Sequence, residues 1–288
     1  MDTAARPRPV TRRHLLTTAA LALGPGVMRR AQADEPDADG ARLREVLASP
    51  HRSAANRARD AARRPFETLR FFGLEPTQTV VEVAPGGGWY TEILAPYLRE
   101  RGTLVAAHHP RDAASEYERN GRLRFEDKLA GAPQLYDRTR VVTQPGPGRG
   151  FVGDLPPASA DRVLTFRNLH NWLEAGHLDG SLRAFFAVLK PGGVLGVEEH
   201  RAPEGASVEQ MVRTGYVAQG WFVERARAAG FRLDAASEVN ANPRDTKDHP
   251  HGVWSLPPTL RGGDADRDRF LAIGESDRMT LRLVKPPA

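Results

Sequence analysis

The sequence predicts an α/β fold, a mostly parallel sheet with helices on both faces, and three observations carry that prediction. A β-branched run around one carboxylate, Thr79-Val80-Val81-Glu82-Val83, stops at Ala84-Pro85-Gly86-Gly87-Gly88 and passes directly into a helical pattern. Strand-like segments at 79–83, 103–107, 140–143, 162–166, 194–197, 231–239 and 279–284 are separated by helix-like ones. An amphipathic run with Leu182, Phe185, Phe186 and Leu189 closes in Lys190-Pro191-Gly192-Gly193 just before a strand, so glycine is expected as its C-cap and lysine at its negative end.

The stretch from Thr79 onward organises the rest. After the glycines, Tyr90, Ile93, Leu94, Tyr97 and Leu98 recur three or four apart, while Thr91 and Glu92 stand at the positive end of the helix dipole. A strand, a glycine turn and a helix start make a nucleotide cradle, because glycine lets a ligand approach the backbone and the helix end offers free N–H donors. The dinucleotide fingerprint wants a third glycine where Trp89 stands, so that reading fits poorly. Glu82-x-Ala84-x-Gly86-x-Gly88 instead resembles the first motif of class I S-adenosylmethionine-dependent methyltransferases. The resemblance implies that Glu82 orders the loop and faces the cofactor's amino end. It also implies that Ala84, Pro85, Gly86, Gly87, Gly88, Trp89 and Tyr90 form the wall behind the methionine and ribose.

At the N-terminus, Thr11-Arg12-Arg13-His14-Leu15-Leu16 is a twin-arginine pattern. An apolar run follows as far as Met28, then Ala31-Gln32-Ala33, a small-residue cleavage site. Residues 1–33 read as an export signal. The apolar run is too short to span a bilayer and Gly24-Pro25-Gly26 interrupts it, so no stable membrane insertion is expected after cleavage. These residues carry six arginines and one acid, leaving 35 basic and 35 acidic residues of the whole chain's 41 and 36. A near-neutral mature chain has no electrostatic footprint for nucleic acid. With no cysteine, disulfides, thiolate metal ligands and a cysteine nucleophile are excluded.

Residues 34–78 read as an N-terminal helical cap, with helices at 41–49, after Ser53, and at 65–72, the last closed by Gly73. Where a nucleoside-binding fold usually places an acid for the ribose hydroxyls, beyond the second strand, this chain has His108 and His109. Gly153-Asp154-Leu155-Pro156 and the strand opened by Asp161 resemble the methyltransferase passage in which an acid contacts the adenine amino group. On that resemblance Asp154 is the contact; read alone it is a solvated loop aspartate. The fourth strand ends in Arg167-Asn168-Leu169-His170-Asn171, at the sheet edge where ligands sit in open α/β folds. There Asn168 is a candidate cofactor contact, and His170 and Asn171 are candidate catalytic groups. The other reading of this cluster is that it caps the following helix. Glu199 and His200, beyond the fifth strand, are expected at the same edge as candidate acid and base. No metal is expected, since there is no helical His-x-x-x-His and the close histidine pairs are His108-His109 and His249-Pro250-His251. A helix is expected over 217–230 and a lid-like loop at about 240–276, because a purely flexible loop has no use for Trp254. Asp277 and Arg278 read as solvated charges.

Together these features resemble a class I methyltransferase over most of residues 40–285, with 79–288 as the methyltransferase-like domain. The implied fold is Rossmann-like, a seven-stranded sheet whose last strand is antiparallel. Pro65–Gly73, the run Pro85-Gly86-Gly87-Gly88-Trp89-Tyr90-Thr91-Glu92-Ile93-Leu94 and the loop Asn242-Pro243-Arg244-Asp245-Thr246-Lys247-Asp248-His249-Pro250 look like those of a bacterial group of exported predicted methyltransferases. The resemblance implies S-adenosylmethionine as cofactor, a small-molecule methyl acceptor, the twin-arginine export machinery as partner and a periplasmic or exported location. Two other readings stand beside it. One is a methyltransferase-like binding protein that has lost transfer; the other is a lyase or hydrolase using His170, Glu199 and His200.

Overall fold

A computed structural model describes Met1 and residues 37–287; apart from Met1, the expected export signal lies outside these residues. Four short helices come first: α1 (Ala38–Ala48), α2 (Ala54–Arg57), α3 (Asp60–Arg63) and α4 (Pro65–Phe71). The Ser53 hydroxyl accepts from the Asn56 N–H and opens α2, while Pro65, with no N–H to lose, opens α4. Gly73, at φ +69°, turns the chain out of α4.

The sheet is built from β1 (Thr79–Val83), β2 (Thr103–His108), β3 (Arg140–Thr143), β4 (Ala160–Phe166), β5 (Leu189–Ala202), β6 (Val217–Ala218), β7 (Arg232–Ser237) and β8 (Arg278–Val284). Seven strands follow the order β3-β2-β1-β4-β5-β8-β7, with β1 parallel to both its neighbours and β8 antiparallel to β5 and β7. This is the seven-stranded sheet with an antiparallel last strand that the sequence predicts. Strand β6 is an addition, pairing its two residues with Arg201 and Ala202 at the far end of β5.

Successive strand residues face opposite sides, so β1 supplies both halves of the core. Val81 and Val83 pack with Leu182 and Phe185 of α9 (Leu178–Val188) and with Phe222 of α11 (Gln219–Ala228). Val80 packs on the other face with Leu43, Leu69 and Phe72 of the cap, and with Ile93, Leu94 and Tyr97 of α5 (Thr91–Leu98). Helix α5 contains Pro96, and the Arg42 guanidinium of α1 donates to the Pro96 and Tyr97 carbonyls at its C-terminal end, 3.2 and 3.3 Å away. No helix of the described residues is long and apolar enough to cross a membrane.

Three sequence expectations are corrected. Helix α9 ends at Val188 with Leu189 already extended and paired with Ala160, so Gly192 is no helix cap. Gly192, at φ +77°, shapes an irregular start of β5 instead, and Lys190 pairs with Asp161 at 2.7 Å. Val217 and Ala218 form β6 before α11 begins, since Val217 is fully buried in a ladder with Arg201. Segment 240–276 contains a 3₁₀ turn (Gly252–Ser255) and the helix α12 (Arg267–Ile273) rather than a structureless loop.

Gly196 of β5 shows how tightly α4 sits on the sheet. A Cβ there would lie 2.6 Å from Phe72 Cγ and 2.8 Å from Leu164 Cδ2. Gly196→Ala is expected to lower the unfolding free energy by about 1–3 kcal/mol in denaturant titrations, with no change in slope.

Candidate functional site

The carboxyl end of β1 breaks sharply because Ala84 takes a left-handed φ of +52° and Gly86 and Gly88 follow at +56° and +78°. A Cβ on Gly86 or Gly87 would meet no atom of the described residues within 4 Å, whereas one on Gly88 would press on Phe125 at 3.1 Å. Gly88 therefore closes the turn onto α6 (Glu116–Ala130), and the other two face open space. Three side chains hold the loop in place. Thr91 Oγ1 donates to the buried Glu82 carboxylate at 2.6 Å, and Lys128 Nζ donates to the Gly87 carbonyl at 3.0 Å and to Glu92 at 2.7 Å. His108 is the third: its Nδ1 accepts from the His109 N–H at 2.8 Å, so its Nε2–H donates to the Gly86 carbonyl at 3.1 Å. Burial pushes this imidazole down to about 4, which keeps it neutral and in that tautomer.

In front of the loop lies a cleft of about 370 Å³. Of the expected cofactor contacts, Glu82, Ala84, Pro85, Gly86, Gly87, Trp89, Tyr90 and Asn168 line it. Tyr90 stacks on Phe166 with ring centroids 3.5 Å apart, and Trp89 Nε1 donates to the Asn56 carbonyl at 3.1 Å. Five further residues line it beyond those expected contacts: Asn56, Arg59 and Arg63 from the cap, Phe166 at the end of β4, and Arg167 just after it, which the sequence places at this sheet edge without giving it a role.

No family model matches this sequence, and no curated protein sequence matches it. Solved structures do share its architecture. An S-adenosylmethionine-dependent methyltransferase from Aquifex aeolicus is similar at 16% identity and a TM-score of 0.52, covering 85% of this chain and 98% of its own. A putative sarcosine dimethylglycine methyltransferase from Galdieria sulphuraria is similar at 13% identity and a TM-score of 0.53, covering 79% and 85%. The chain has the class I methyltransferase fold. The [4+2]-cyclase SpnF is similar as well, at 19% identity and a TM-score of 0.55 with 79% and 82% covered, so the methyltransferase fold by itself does not fix the chemistry.

Within this fold the cleft is backed by a chain of ion pairs. Arg59 and Arg63 reach Glu275 at 2.7 and 3.3 Å, Arg278 joins Glu275 to Glu198 at 3.2 and 2.9 Å, and Arg167 reaches Glu198 at 3.1 Å. Asp277 and Arg278, expected in solvent, are only 3% and 2% exposed, a correction that follows from Arg201 and Lys247 on Asp277 and from Glu198 and Glu275 on Arg278. Burial alone would raise both carboxylates, but the arginines overcome it: Glu198 lies below its ordinary range and Glu275 is drawn down to about 2. Burial, with Arg167 close by, lowers Arg63 to about 9. Tyr90 donates to Glu198 at 3.2 Å, and burial with that carboxylate pushes its phenol well above the usual value.

His170, Glu199 and His200 come together, but none of them lines the cleft. Glu199, fully buried, accepts from the Leu169 N–H at 2.5 Å and so caps the short helix α8 (Leu169–Glu174). Its other oxygen meets His170 Nδ1 at 3.0 Å and the His200 N–H at 2.8 Å. Donor atoms of the three lie within 4.8 Å of one another, as metal ligands do, yet both carboxylate oxygens are already engaged by hydrogen-bond donors. His200 Nδ1 faces Ser276 Oγ at 2.5 Å, and burial followed by the neighbouring His170 holds this imidazole well below its ordinary value. Asn171 is exposed on α8, and Asn168 bonds the Val83 carbonyl at 3.2 Å rather than capping the helix. Asp154 is exposed beside Arg140, the first residue of β3, away from the cleft.

Burial raises Glu82 to about 7, against the pull of Thr91 and Lys128. The folded state then holds a proton that the unfolded chain releases near 4.5, so stability falls as pH rises from about 4.5 to 7, by on the order of 3 kcal/mol. His108 has the opposite sign: lowered to about 4, it makes stability rise between about pH 4 and 6.5. Glu82→Gln removes the first slope and leaves the second. The unfolding free energy of wild type minus Glu82→Gln is therefore expected to fall across pH 4.5 to 7; a flat difference would mean that Glu82 stays ionised throughout.

Proposed function

We propose that this protein transfers a methyl group from S-adenosylmethionine to a small-molecule acceptor, outside the cytoplasm, after twin-arginine export. The observation that carries the reading is the open turn at Gly86 and Gly87, where a Cβ would meet no atom of the described residues within 4 Å, set at the carboxyl end of β1 beside the cleft. When bound, the cofactor supplies an electrophilic methyl group on a sulfonium, and the protein's share of the work is mostly alignment. Glu82 would face the amino end of the methionine, the glycine loop would back it, and the Tyr90–Phe166 stack would form a fixed wall. His108, in the place expected for a ribose acid, braces the loop through Gly86 instead, so the ribose is left to other groups. The likeness of the fold to methyltransferases supports this reading, and the twin-arginine pattern with Ala31-Gln32-Ala33 supports the location.

Thermal unfolding of the full chain with S-adenosylhomocysteine tests the first part. At a hundredfold its dissociation constant the ligand should add about 2.7 kcal/mol. Gly87→Val places its side chain in open space, so it should fold normally and lose the ligand-dependent shift; an unshifted wild type at millimolar ligand would overturn the reading. The location is tested by fractionating cells that express Arg12→Lys/Arg13→Lys. The variant should remain in the cytoplasm while wild type is exported, and equal export would count against the twin-arginine route.

A further inference from the structure

The cleft carries more positive charge than it neutralises. Arg59, Arg63 and Arg167 line it, and Arg278 completes their ion-pair chain, against the carboxylates of Glu198 and Glu275. With Glu82 counted as ionised, four guanidiniums still face three carboxylates. These groups are well removed from water: the side chains of Arg63, Arg167 and Arg278 are 5%, 18% and 2% exposed. Unbalanced charge in such a place is costly unless a partner is bound. Two donors of this set, Arg59 Nη2 and Arg278 Nε, are buried and have no hydrogen-bond partner among the described residues, and of the two only Arg59 belongs to the cleft lining. Arg63 lies over the Trp89 ring at 4.7 Å, which fixes its planar fork at the cleft wall.

The cofactor does not supply the missing anion. S-adenosylmethionine bears a sulfonium and an ammonium against one carboxylate, so on the reading above its arrival adds positive charge. The anion must then come with the other ligand. We infer that the methyl acceptor is an organic carboxylate, held at the cap side of the cleft by Arg59, Arg63 and Arg167. Guanidinium forks match a carboxylate through paired N–H donors, and Arg59, which lines the cleft, has one such donor unused at Nη2. This inference rests on the methyl-transfer reading for the acceptor role, and on the charge count with the unpartnered Arg59 donor for the anion it would carry.

The experiment uses the full chain and calorimetric titration with succinate and benzoate, each against its neutral amide, succinamide and benzamide, with and without saturating S-adenosylhomocysteine. The carboxylates should bind at least tenfold more tightly than the amides. Arg59→Gln, at the partly exposed end of the ion-pair chain, should abolish that preference while changing S-adenosylhomocysteine affinity less than twofold, and Arg59→Lys should restore part of it. Equal binding of acids and amides, or no binding of either at tens of millimolar, would overturn the inference. So would an Arg59→Gln variant that loses S-adenosylhomocysteine tenfold yet keeps 5′-methylthioadenosine, which lacks the amino-acid end, because the arginine would then serve the cofactor's own carboxylate. If the acids bind preferentially and S-adenosylhomocysteine does not bind at all, the anion site stands and the methyl-transfer reading falls.

Discussion

The buried carboxylate of Glu198 is the contact on which the site's geometry depends. It sits on β5, fully shielded from water, and receives Arg167 from the end of β4, Arg278 from the start of β8 and the Tyr90 hydroxyl from the start of α5. Those three groups lie far apart in sequence and meet at one pair of oxygens. A buried ion pair is weak evidence for stability, since desolvation offsets much of the attraction, but removing one member strands the others. Without Glu198, Arg278 would keep only Glu275, and Arg167 would have no carboxylate among the pairs described. The carboxylate therefore sets position more than it sets stability, and what it positions is the wall of the cleft.

Glu275 extends the same logic to the cap. Helices α1 and α4 pack on the sheet through Leu43, Leu69 and Phe72, but α3 is too short to bury an apolar face and is tied down by Arg59 and Arg63 on Glu275. Glu275 in turn is placed by segment 240–276. Asn242 Nδ2 donates to the Ile273 and Glu275 carbonyls, and Asn240 Nδ2 bridges Thr68 of α4 and Thr280 of β8. Buried Asp245 gathers the Tyr216 hydroxyl, His249 Nε2 and the Asp277 N–H. A segment held by so many buried polar contacts behaves as a fixed strap that delivers Glu275 and Asp277, in contrast to an open loop whose backbone is left to water.

The legible parts of this fold were those that report through periodicity. Strand β1 is buried on both faces and reads as a β-branched run interrupted only by Glu82, and Gly73 and Pro65 punctuate α4 as backbone chemistry requires. The place of Glu82, Gly86 and Gly87 beside the cleft was legible because a strand that stops at a glycine turn before a helix marks the ligand edge of such a sheet. Arg59 and Arg63 were not. They lie in a short helical stretch with Arg57 and Arg64, and nothing local separates a guanidinium that turns toward Glu275, more than two hundred residues away, from one in solvent. Asp277-Arg278 hid in the same manner: adjacent opposite charges look like surface until Arg201 and Glu198 are brought beside them. Signals that depend on a long-range partner are invisible to spacing.

His108 shows how a position can keep its place in the fold and change its use. It stands at the end of β2, where the fold offers a side chain to a nucleoside, yet its ring is turned back onto Gly86 and its own neighbour's N–H. A carboxylate there could not donate to that carbonyl, so the histidine secures the loop at the cost of an acceptor for ribose. On the proposed reading, the cofactor meets a cleft with fewer anionic contacts than usual and an excess of guanidinium. An anionic acceptor would offset both, and by reciprocity each ligand would then strengthen the binding of the other. On the same reading methyl transfer would remove the sulfonium's charge, and with it part of the attraction between the two occupants. Coupling of this kind would tie specificity for the acceptor to the charge of the cap rather than to the shape of the sheet, which is shared with a protein named for different chemistry.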